Sequence, residues 1–159
     1  MDFDEKGFME MSNLQNRLSH IHKLLENEDI NHKRILEVGC GPGFIGASFI
    51  ENYCEVHGLD KEKKVSEIAT HKGIIVKLLG IEKDCFPYAS KFFDMIIISE
   101  VIEHIIEYHY VLDEIYRVLK KNGILILTTP NLNNINNMLN LLRGNDVLPI
   151  YCRDVQVDI

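Results

Sequence analysis

Glycines cluster behind an apolar run in the segment ILEVGCGPGFIG, which spans residues 35–46. Their spacing is compatible with two kinds of ligand. Taken as G-x-G-x-x-G from Gly41, the segment matches the fingerprint that places a dinucleotide pyrophosphate at a helix N-terminus. Taken as E-x-G-x-G-x-G from Glu37, it suggests a loop that receives an amino acid and a nucleoside. The glycines alone leave both alternatives open.

Two further candidate residues follow apolar segments later in the chain. Asp60 ends the segment EVHGLD, and a carboxylate there can accept hydrogen bonds from both hydroxyls of a ribose. His104 follows the apolar segment 92–99. Its imidazole titrates near neutral pH and could act as a general base. Alternatively, His104 caps or packs against the start of the next helix.

Composition narrows the class of protein. The chain has 159 residues, of which 46% are hydrophobic and 26% charged, so we expect a single domain over residues 1–159. A net charge of -7 without a Lys/Arg-rich block argues against a nucleic-acid partner. No apolar run is long enough to span a membrane, and no export signal is evident. The cysteines contain no C-x-x-C pair, so we expect reduced, buried thiols and a cytoplasmic location; they are Cys40, Cys54, Cys85 and Cys152.

Hydrophobic periodicity alternates between strand and helix along the chain. Apolar segments predict five strands, at 34–39, 55–60, 74–79, 92–99 and 124–129. Helical periodicity predicts helices at 13–27, 43–53, 61–72 and 131–143, and another that ends at Asn122-Gly123. Ser12 and Gln15 form a plausible capping box for the first helix. The strand 92–99 is apolar throughout, which predicts burial on both faces.

Helices between successive strands imply right-handed crossovers. We therefore predict an α/β fold, a Rossmann-like doubly wound parallel sheet of about five strands with flanking helices. Ligands in such sheets bind outside the carboxyl ends of the strands. Those ends carry the glycine loop, Asp60, and residues 80–84, 99–104 and 128–131. Because most of the unusual residues fall at these ends, the sequence predicts a ligand site there.

Several motifs, in this order and spacing, resemble the class I S-adenosylmethionine-dependent methyltransferases: EVGCGPG, Asp60, FPYASKFFDMIIISEVIEH and LDEIYRVLKKNGILILTTPN. SEVIEHI and TTPN are most similar to the group that includes ubiquinone-type O-methyltransferases and methyltransferases of cell-surface polysaccharide pathways. The resemblance covers roughly residues 30–143 and leaves 144–159 as a tail. It implies S-adenosylmethionine as cofactor and O-methyl transfer to a small-molecule or saccharide-linked acceptor. The alternatives are a non-catalytic module that binds the cofactor or a partner protein, and an NAD-dependent oxidoreductase.

The resemblance also implies roles for individual residues. Glu37 would accept hydrogen bonds from the methionine ammonium, and the helix that starts near Phe44 would offer its N-terminus to the methionine carboxylate. Many relatives carry an acidic residue after the third strand that binds adenine, where this chain has Gly80 or Ile81. Backbone groups near Ile81 and Glu82 would take that role. The predicted cofactor-binding residues are Glu37, Gly39, Cys40, Gly41, Gly43, Asp60, Lys61, Ile81, Glu82 and Ser99, while Gly46 is assigned to close helix packing.

The same resemblance points to His104 and Glu100 as catalytic residues, with His104 removing the proton of a hydroxyl acceptor. The main expectation is that no metal takes part. The alternative is a divalent metal held by Glu100, Glu103 and His104, a cluster that resembles the metal site of small-RNA 2′-O-methyltransferases. Such a metal would lower the pKa of the hydroxyl and replace the base.

The C-terminal part looks short for this class, whose domains normally end with a further helix and an antiparallel strand pair. After the predicted helix 131–143, too few residues remain for a helix and a hairpin, so we expect the sixth and seventh strands to be missing. The exposed sheet edge would then need cover, for which a second copy of the chain is a candidate. A fragment and a compact chain completed by oligomerisation are the two explanations.

Overall fold

A computed structural model describes residues 5–129 and 152–154 of the chain, with side chains described from residue 13 to residue 129. The helices are α1 (Glu5–Leu24), α2 (Phe44–Ala47), α3 (Lys63–His71) and α4 (Tyr108–Val118), joined by two 3-10 turns at Ile50–Asn52 and Ile102–His104. The strands are β1 (Arg34–Val38), β2 (Glu55–Asp60), β3 (Ile75–Leu78), β4 (Phe93–Ser99), β5 (Leu119–Thr128) and β6 (Cys152–Asp154). Among these residues, no helix is both long and apolar enough to cross a bilayer.

All of the strands pair in one sheet with the order β3-β2-β1-β4-β5-β6. Strands β1 to β5 are parallel, which confirms the predicted α/β, doubly wound architecture. The chain builds outward from β1 to β3 and then returns to the other side of β1, so the order reverses between β1 and β4. The connections that leave these two strands pack on opposite faces, and a crevice forms at their carboxyl ends.

Both faces of the sheet are buried under helices. Ile35 packs in the core cluster that includes residues of α1, α2 and α3, whereas its neighbour Leu36 packs in the cluster that includes α4. In β4, Ile96, Ile97 and Ile98 have no exposed surface, which confirms burial on both faces. Each such side chain contributes about 1.5–3 kcal/mol to folding, so this strand anchors the residues that follow it.

The first two helices differ from their predicted bounds. Helix α1 begins at Glu5, so Ser12 lies inside it and the proposed capping box is wrong. The predicted helix 43–53 is divided, because α2 ends at Ala47 and a separate 3-10 turn follows. At the break, the Ser48 hydroxyl donates to the Ile45 carbonyl, a local bond that competes with regular helix geometry. With only four residues, α2 offers a much weaker dipole than the predicted helix.

The junction between α4 and β5 also differs from the prediction. Helix α4 ends at Val118 rather than at Asn122, and Leu119 already pairs with Phe93 of β4. The register then shifts, and the next pair joins Ile124 to Met95. Asn122 has a left-handed φ of 61°, which the short polar side chain of Asn tolerates better than most residues. The Asn-Gly signal therefore marks an irregularity within β5 and not the end of the helix.

The expectation that antiparallel strands are missing is wrong in one respect. Strand β6 pairs antiparallel with residues 126–128 of β5 and covers part of the edge expected to be exposed. The predicted helix 131–143 lies outside the described residues. The expectation of buried thiols is also wrong in part, since Cys40 is buried, Cys54 half-buried and Cys85 exposed.

Candidate functional site

The glycine loop connects β1 to α2 at the crevice. Gly39, Gly41 and Gly43 have φ angles of 69°, 49° and 70°, in the left-handed region that favours glycine. The Gly39 N–H donates to the Leu59 carbonyl at 2.8 Å and so joins the loop to the end of β2. The Gly43 N–H donates back to the Cys40 carbonyl, also at 2.8 Å, and closes the turn.

The glycines of the loop differ in the space around the position that a Cβ would occupy. A Cβ on Gly39 would lie 2.5 Å from Val101 Cγ2, and one on Gly43 would lie 2.5 Å from Ile74 Cδ1. At Gly41, by contrast, no atom of residues 13–129 other than its chain neighbours lies within 4 Å of that position. Gly39 and Gly43 therefore permit close packing, whereas Gly41 faces open space that a ligand can enter.

Asp60 fixes the middle of the loop from the end of β2. Its Oδ2 accepts the Gly41 N–H at 2.8 Å, and its Oδ1 accepts the Glu62 N–H at 2.8 Å. A carboxylate oxygen has two lone pairs, so each can still accept a hydrogen bond from a ligand. Asp60 thus orients the loop and offers two acceptors beside it.

Glu37 lies beneath the loop and is only 4% exposed. Its Oε2 accepts the Gly46 N–H at 2.9 Å, and a Cβ on Gly46 would lie 2.8 Å from this oxygen. Burial raises the pKa of Glu37 to about 8, and the nearby charge of Asp60 acts in the same direction. A ligand cation would stabilise the ionised carboxylate. Gly46 therefore permits close packing of α2 on β1, as expected from the sequence, and its N–H holds the Glu37 carboxylate.

A cavity of about 600 Å³ opens beside the loop at the carboxyl ends of the strands. Six predicted site residues line it: Gly39, Asp60, Lys61, Ile81, Glu82 and His104. The remaining lining residues are Leu79, Gly80, Lys83, Asp84, Val101 and Ile105. The segment after β3 thus forms much of the wall, as expected for residues that follow a parallel strand.

Other predicted cofactor residues do not line this cavity. The Ser99 hydroxyl pairs with that of Thr128 at 2.8 Å, across β4 and β5. Cys40 is buried, and burial raises the pKa of its thiol to about 12, so it remains a neutral packing group. Glu37, Gly41 and Gly43 lie in or beneath the loop itself.

Glu100 opens the segment after β4 in a strained conformation. Its φ of 57° lies in the left-handed region, which is uncommon for a residue with a Cβ. Its Oε1 accepts the Thr128 hydroxyl at 3.2 Å, and its N–H donates to the Thr128 carbonyl. Partial burial raises the pKa of this carboxyl, and the charge of Glu103 raises it further. The two bonds to Thr128 hold this half-buried acid beside the strand ends.

His104 lies in the 3-10 turn that follows Glu100, with an exposed side chain at the cavity wall. Its backbone N–H donates to the Val101 carbonyl at 3.0 Å. Glu103 is also exposed. Within residues 13–129, no three His, Cys, Asp or Glu side chains are arranged to hold a metal ion, and Glu100, Glu103 and His104 are not brought together as such a group.

Arg17 was not among the predicted site residues, and α1 brings it near Glu37 and Glu100. Its charge acts on the carboxyl groups of both Glu37 and Glu100. Its Nε is buried and has no hydrogen-bond partner among the described residues. Arg17 lies on the same helical stripe as Leu14 and Ile21, and a cation on an apolar stripe is the signal that could have identified it.

Comparison with protein families now bears on the choice between the two ligands. The methyltransferase domain model matches residues 36–127, more than half of the chain. The chain belongs to the methyltransferase domain family. This membership agrees with the resemblance noted in the sequence and with the contact between Gly46 and Glu37.

Curated relatives match the same part of the methyltransferase chain. The ubiquinone biosynthesis O-methyltransferase of Pelagibacter ubique is 30% identical over 108 residues, which are 66% of this chain and 45% of that protein. The malonyl-acyl-carrier-protein O-methyltransferase of Legionella pneumophila is 31% identical over 116 residues, 70% of this chain and 41% of that protein. The chain therefore spans less than half the length of these relatives.

Solved structures confirm the methyltransferase fold. An S-adenosylmethionine-dependent methyltransferase from Mesorhizobium loti has a TM-score of 0.59 at 20% identity, over 65% of this chain and 49% of that one. Coclaurine N-methyltransferase, bound to N-methylheliamine and SAH, has a TM-score of 0.61 at 22% identity, over 73% of this chain and 36% of that one. These likenesses establish the fold alone.

Proposed function

We propose that this chain binds S-adenosylmethionine at the carboxyl edge of its sheet and belongs to a protein that methylates a hydroxyl of a small-molecule or saccharide-linked acceptor. The observation that carries the proposal is Gly41, whose N–H is bound by Asp60 and whose Cα faces open space. Family membership and a structural neighbour with SAH bound support S-adenosylmethionine as the cofactor.

The groups around the loop fit the charges of this cofactor. Glu37 is a buried acid suited to the methionine ammonium. The Arg17 Nε, which has no partner in the described part of the chain, suits the methionine carboxylate, because a guanidinium and a carboxylate make strong charge-assisted hydrogen bonds. Asp60 has free lone pairs for the ribose hydroxyls, and Leu79 and Ile81 supply apolar surface for adenine. Both charged groups of the amino-acid part of the ligand thus have a residue of opposite charge.

Methyl transfer needs few chemical groups from the protein, because the bound sulfonium supplies an already activated methyl group. The chain's tasks are to hold the donor in place and to remove a proton from the acceptor. We assign the proton removal to His104, which lies at the cavity wall. Glu100 is the second candidate, since its raised pKa brings it nearer to the range of a useful base.

Relatives named as O-methyltransferases support an oxygen atom as the acceptor. The N-methyltransferase among the structural neighbours shares the fold only. Because the chain spans less than half of those relatives, a cofactor-binding module without activity of its own is the second candidate. The exposure of His104 is compatible with this candidate.

Isothermal titration with S-adenosylmethionine, SAH and NAD tests the binding proposal. We expect the first two to bind and NAD not to bind, and NAD binding without SAH binding would refute the proposal. Turnover with a panel of hydroxyl acceptors then separates an enzyme from a module.

His104→Gln should lower any turnover about 100-fold or more while SAH affinity stays within about twofold. His109→Gln is the matched control, because His109 is exposed and stacks on Tyr108. Equal losses in both variants would exclude His104 as the base.

A further inference from the structure

The Pro42–Phe44 part of the glycine loop is bound from outside by one side chain, that of Lys72. The Lys72 Nζ donates to the Pro42 carbonyl at 2.7 Å and lies 3.6 Å from the centroid of the Phe44 ring. We propose that Lys72 is a positioning residue that holds Pro42–Phe44 in the conformation needed for donor binding. This inference rests on the proposed function, because it assigns Lys72 a role at the same site.

The loop needs such a contact because its own structure gives this part little support. Pro42 has no N–H, and α2 has four residues and no side-chain cap. Backbone bonds tie Gly43 to Cys40 and to Ala47. Within residues 13–129, the bond from Lys72 is the only side-chain hydrogen bond to Pro42–Phe44.

The Phe44 ring also depends on Lys72. Phe44 is 46% exposed, so core packing does not hold its ring. An ammonium over an aromatic face is attracted by the ring, and more strongly when it is partly desolvated. Lys72 is half-buried, and this burial lowers the pKa of its amine. The partly desolvated ammonium therefore strengthens both contacts to the loop.

Both ends of α3 are connected to the glycine loop, and Lys72 makes the second of these connections. At the start of α3, the Glu62 N–H donates to Asp60, which in turn accepts the Gly41 N–H. At its end, Lys72 caps the helix and binds Pro42. Both ties attach to one rigid helix, so the loop has little freedom to shift relative to Asp60. Loss of the Lys72 amine would release the half beyond Gly41 and leave Asp60 in place.

Titration of variants tests this role with two ligands. Lys72→Met keeps the apolar stem and removes the ammonium, Lys72→Arg keeps the charge and the donors, and Lys64→Met is the control on the exposed face of α3. We expect Lys72→Met to weaken SAH binding about tenfold, equivalent to about 1.4 kcal/mol. Lys72→Arg should stay within about threefold of the parent. Adenosine, which lacks the amino-acid part, should bind all four proteins equally.

Unchanged SAH affinity in Lys72→Met would overturn the inference. Equal losses for SAH and adenosine, with a lower melting temperature, would also overturn it, since they indicate a general structural role. A parent protein that binds neither SAM nor SAH refutes the proposed function instead.

Hydrogen–deuterium exchange then still tests Lys72, because it needs no ligand. The Gly43 and Ala47 amides should exchange about tenfold faster in Lys72→Met than in Lys64→Met or Lys72→Arg. The β4 amides should not change. Equal loop exchange in the three variants contradicts the inference.

Discussion

Two regions at the carboxyl edge of the sheet are built in opposite ways. The donor side, residues 37–46 with Asp60, is held by hydrogen bonds to β2, and its acid Glu37 is buried. The segment after β4, residues 100–106, contains the 3-10 turn Ile102–His104, and its His104 and Ile106 side chains are exposed. The donor side is therefore preorganised before any ligand arrives, whereas the segment after β4 leaves the His104 side chain open to solvent.

The difference follows from the contacts that each segment makes after its strand, because β1, β2 and β4 all pair on both edges. The glycine loop is bound to β2 through the Leu59 carbonyl and the Asp60 carboxylate. The segment after β4 crosses to α4 and is bound to β5 through Thr128. A common donor needs an invariant geometry, while different acceptors need different walls, so rigidity is useful on one side only.

Asp60→Ala should cause the largest change on the donor side. It removes two acceptors for the ligand and the anchor of the Gly41 N–H, so SAH affinity should fall more than about 100-fold, from the loss of about two charge-assisted hydrogen bonds. Calorimetric titration measures this loss. Asp94→Asn is the control, because Asp94 binds Arg34 and Lys120 away from the cavity. A loss below about tenfold would contradict the assigned role of Asp60.

Gly43→Ala and Gly41→Ala should separate packing from ligand space within the loop. The Cβ at residue 43 collides with Ile74 and Ala69, and we expect a loss of about 2–3 kcal/mol in the free energy of unfolding. At residue 41 only the left-handed φ is unfavourable, costing about 1 kcal/mol, but the Cβ enters the ligand space. Urea unfolding and SAH titration should therefore rank the two variants in opposite order. The same rank in both assays would mean that Gly41 does not face the ligand.

Glu37→Gln should stabilise the ligand-free protein while weakening donor binding about tenfold. Burial raises the pKa of Glu37 to about 8 from an ordinary 4.5. Between these values the folded state keeps a proton that the unfolded chain releases, so stability is lost as pH rises through this window. We expect a gain of about 2 kcal/mol for Glu37→Gln at pH 7 and none at about pH 4.

Thermal unfolding of Glu37→Gln as a function of pH checks this sign. Glu51→Gln is the control, because Glu51 is an exposed acid away from the glycine loop. A gain for Glu37→Gln that does not vary with pH would show that the buried carboxyl is not its source.

Glu100→Gly tests the strain in the segment after β4. Glycine accepts the φ of 57° without penalty but loses the hydrogen bond from Thr128, so we expect stability within about 0.5 kcal/mol of the parent and no change in SAH affinity. Glu103→Gly, which has no left-handed φ, should lose stability instead. Urea unfolding of both variants decides. Weaker SAH binding in Glu100→Gly but not in Glu103→Gly would show that the segment after β4 also contributes to donor binding. It would contradict the distinction drawn between the two regions.

Thiol labelling should give the smallest effect, a difference in rate without a change in stability. Cys85 is exposed and should react first, whereas burial raises the pKa of the Cys40 thiol to about 12 and protects it. Mass spectrometry of peptides after a timed iodoacetamide pulse resolves the two sites. SAH should not alter the rate at Cys85. Fast labelling of Cys40 would show that the donor loop opens readily.

The sequence by itself determined the five parallel strands and the position of the glycine loop and Asp60 at the carboxyl ends of two of them. Burial of β4 on both faces follows from its uninterrupted apolar run, and the Gly39–Gly43 loop with Asp60 follows from their positions at strand ends. These features depend on local periodicity and on the general rule for ligands in parallel sheets. The periodicity and the positions of the strand ends can both be read from the order of residues along the chain.

Only the tertiary structure decided the contacts between distant segments. Arg17, Lys72 and the Gly46 N–H reach the site through packing of α1, α3 and α2, which no local pattern specifies. The end of α4 at Val118 has the same origin, because Leu119 gains a partner on β4 that overrides its helical periodicity. Side chains distant in sequence become neighbours only after the sheet has formed, and their charges and hydrogen bonds then complete the loop.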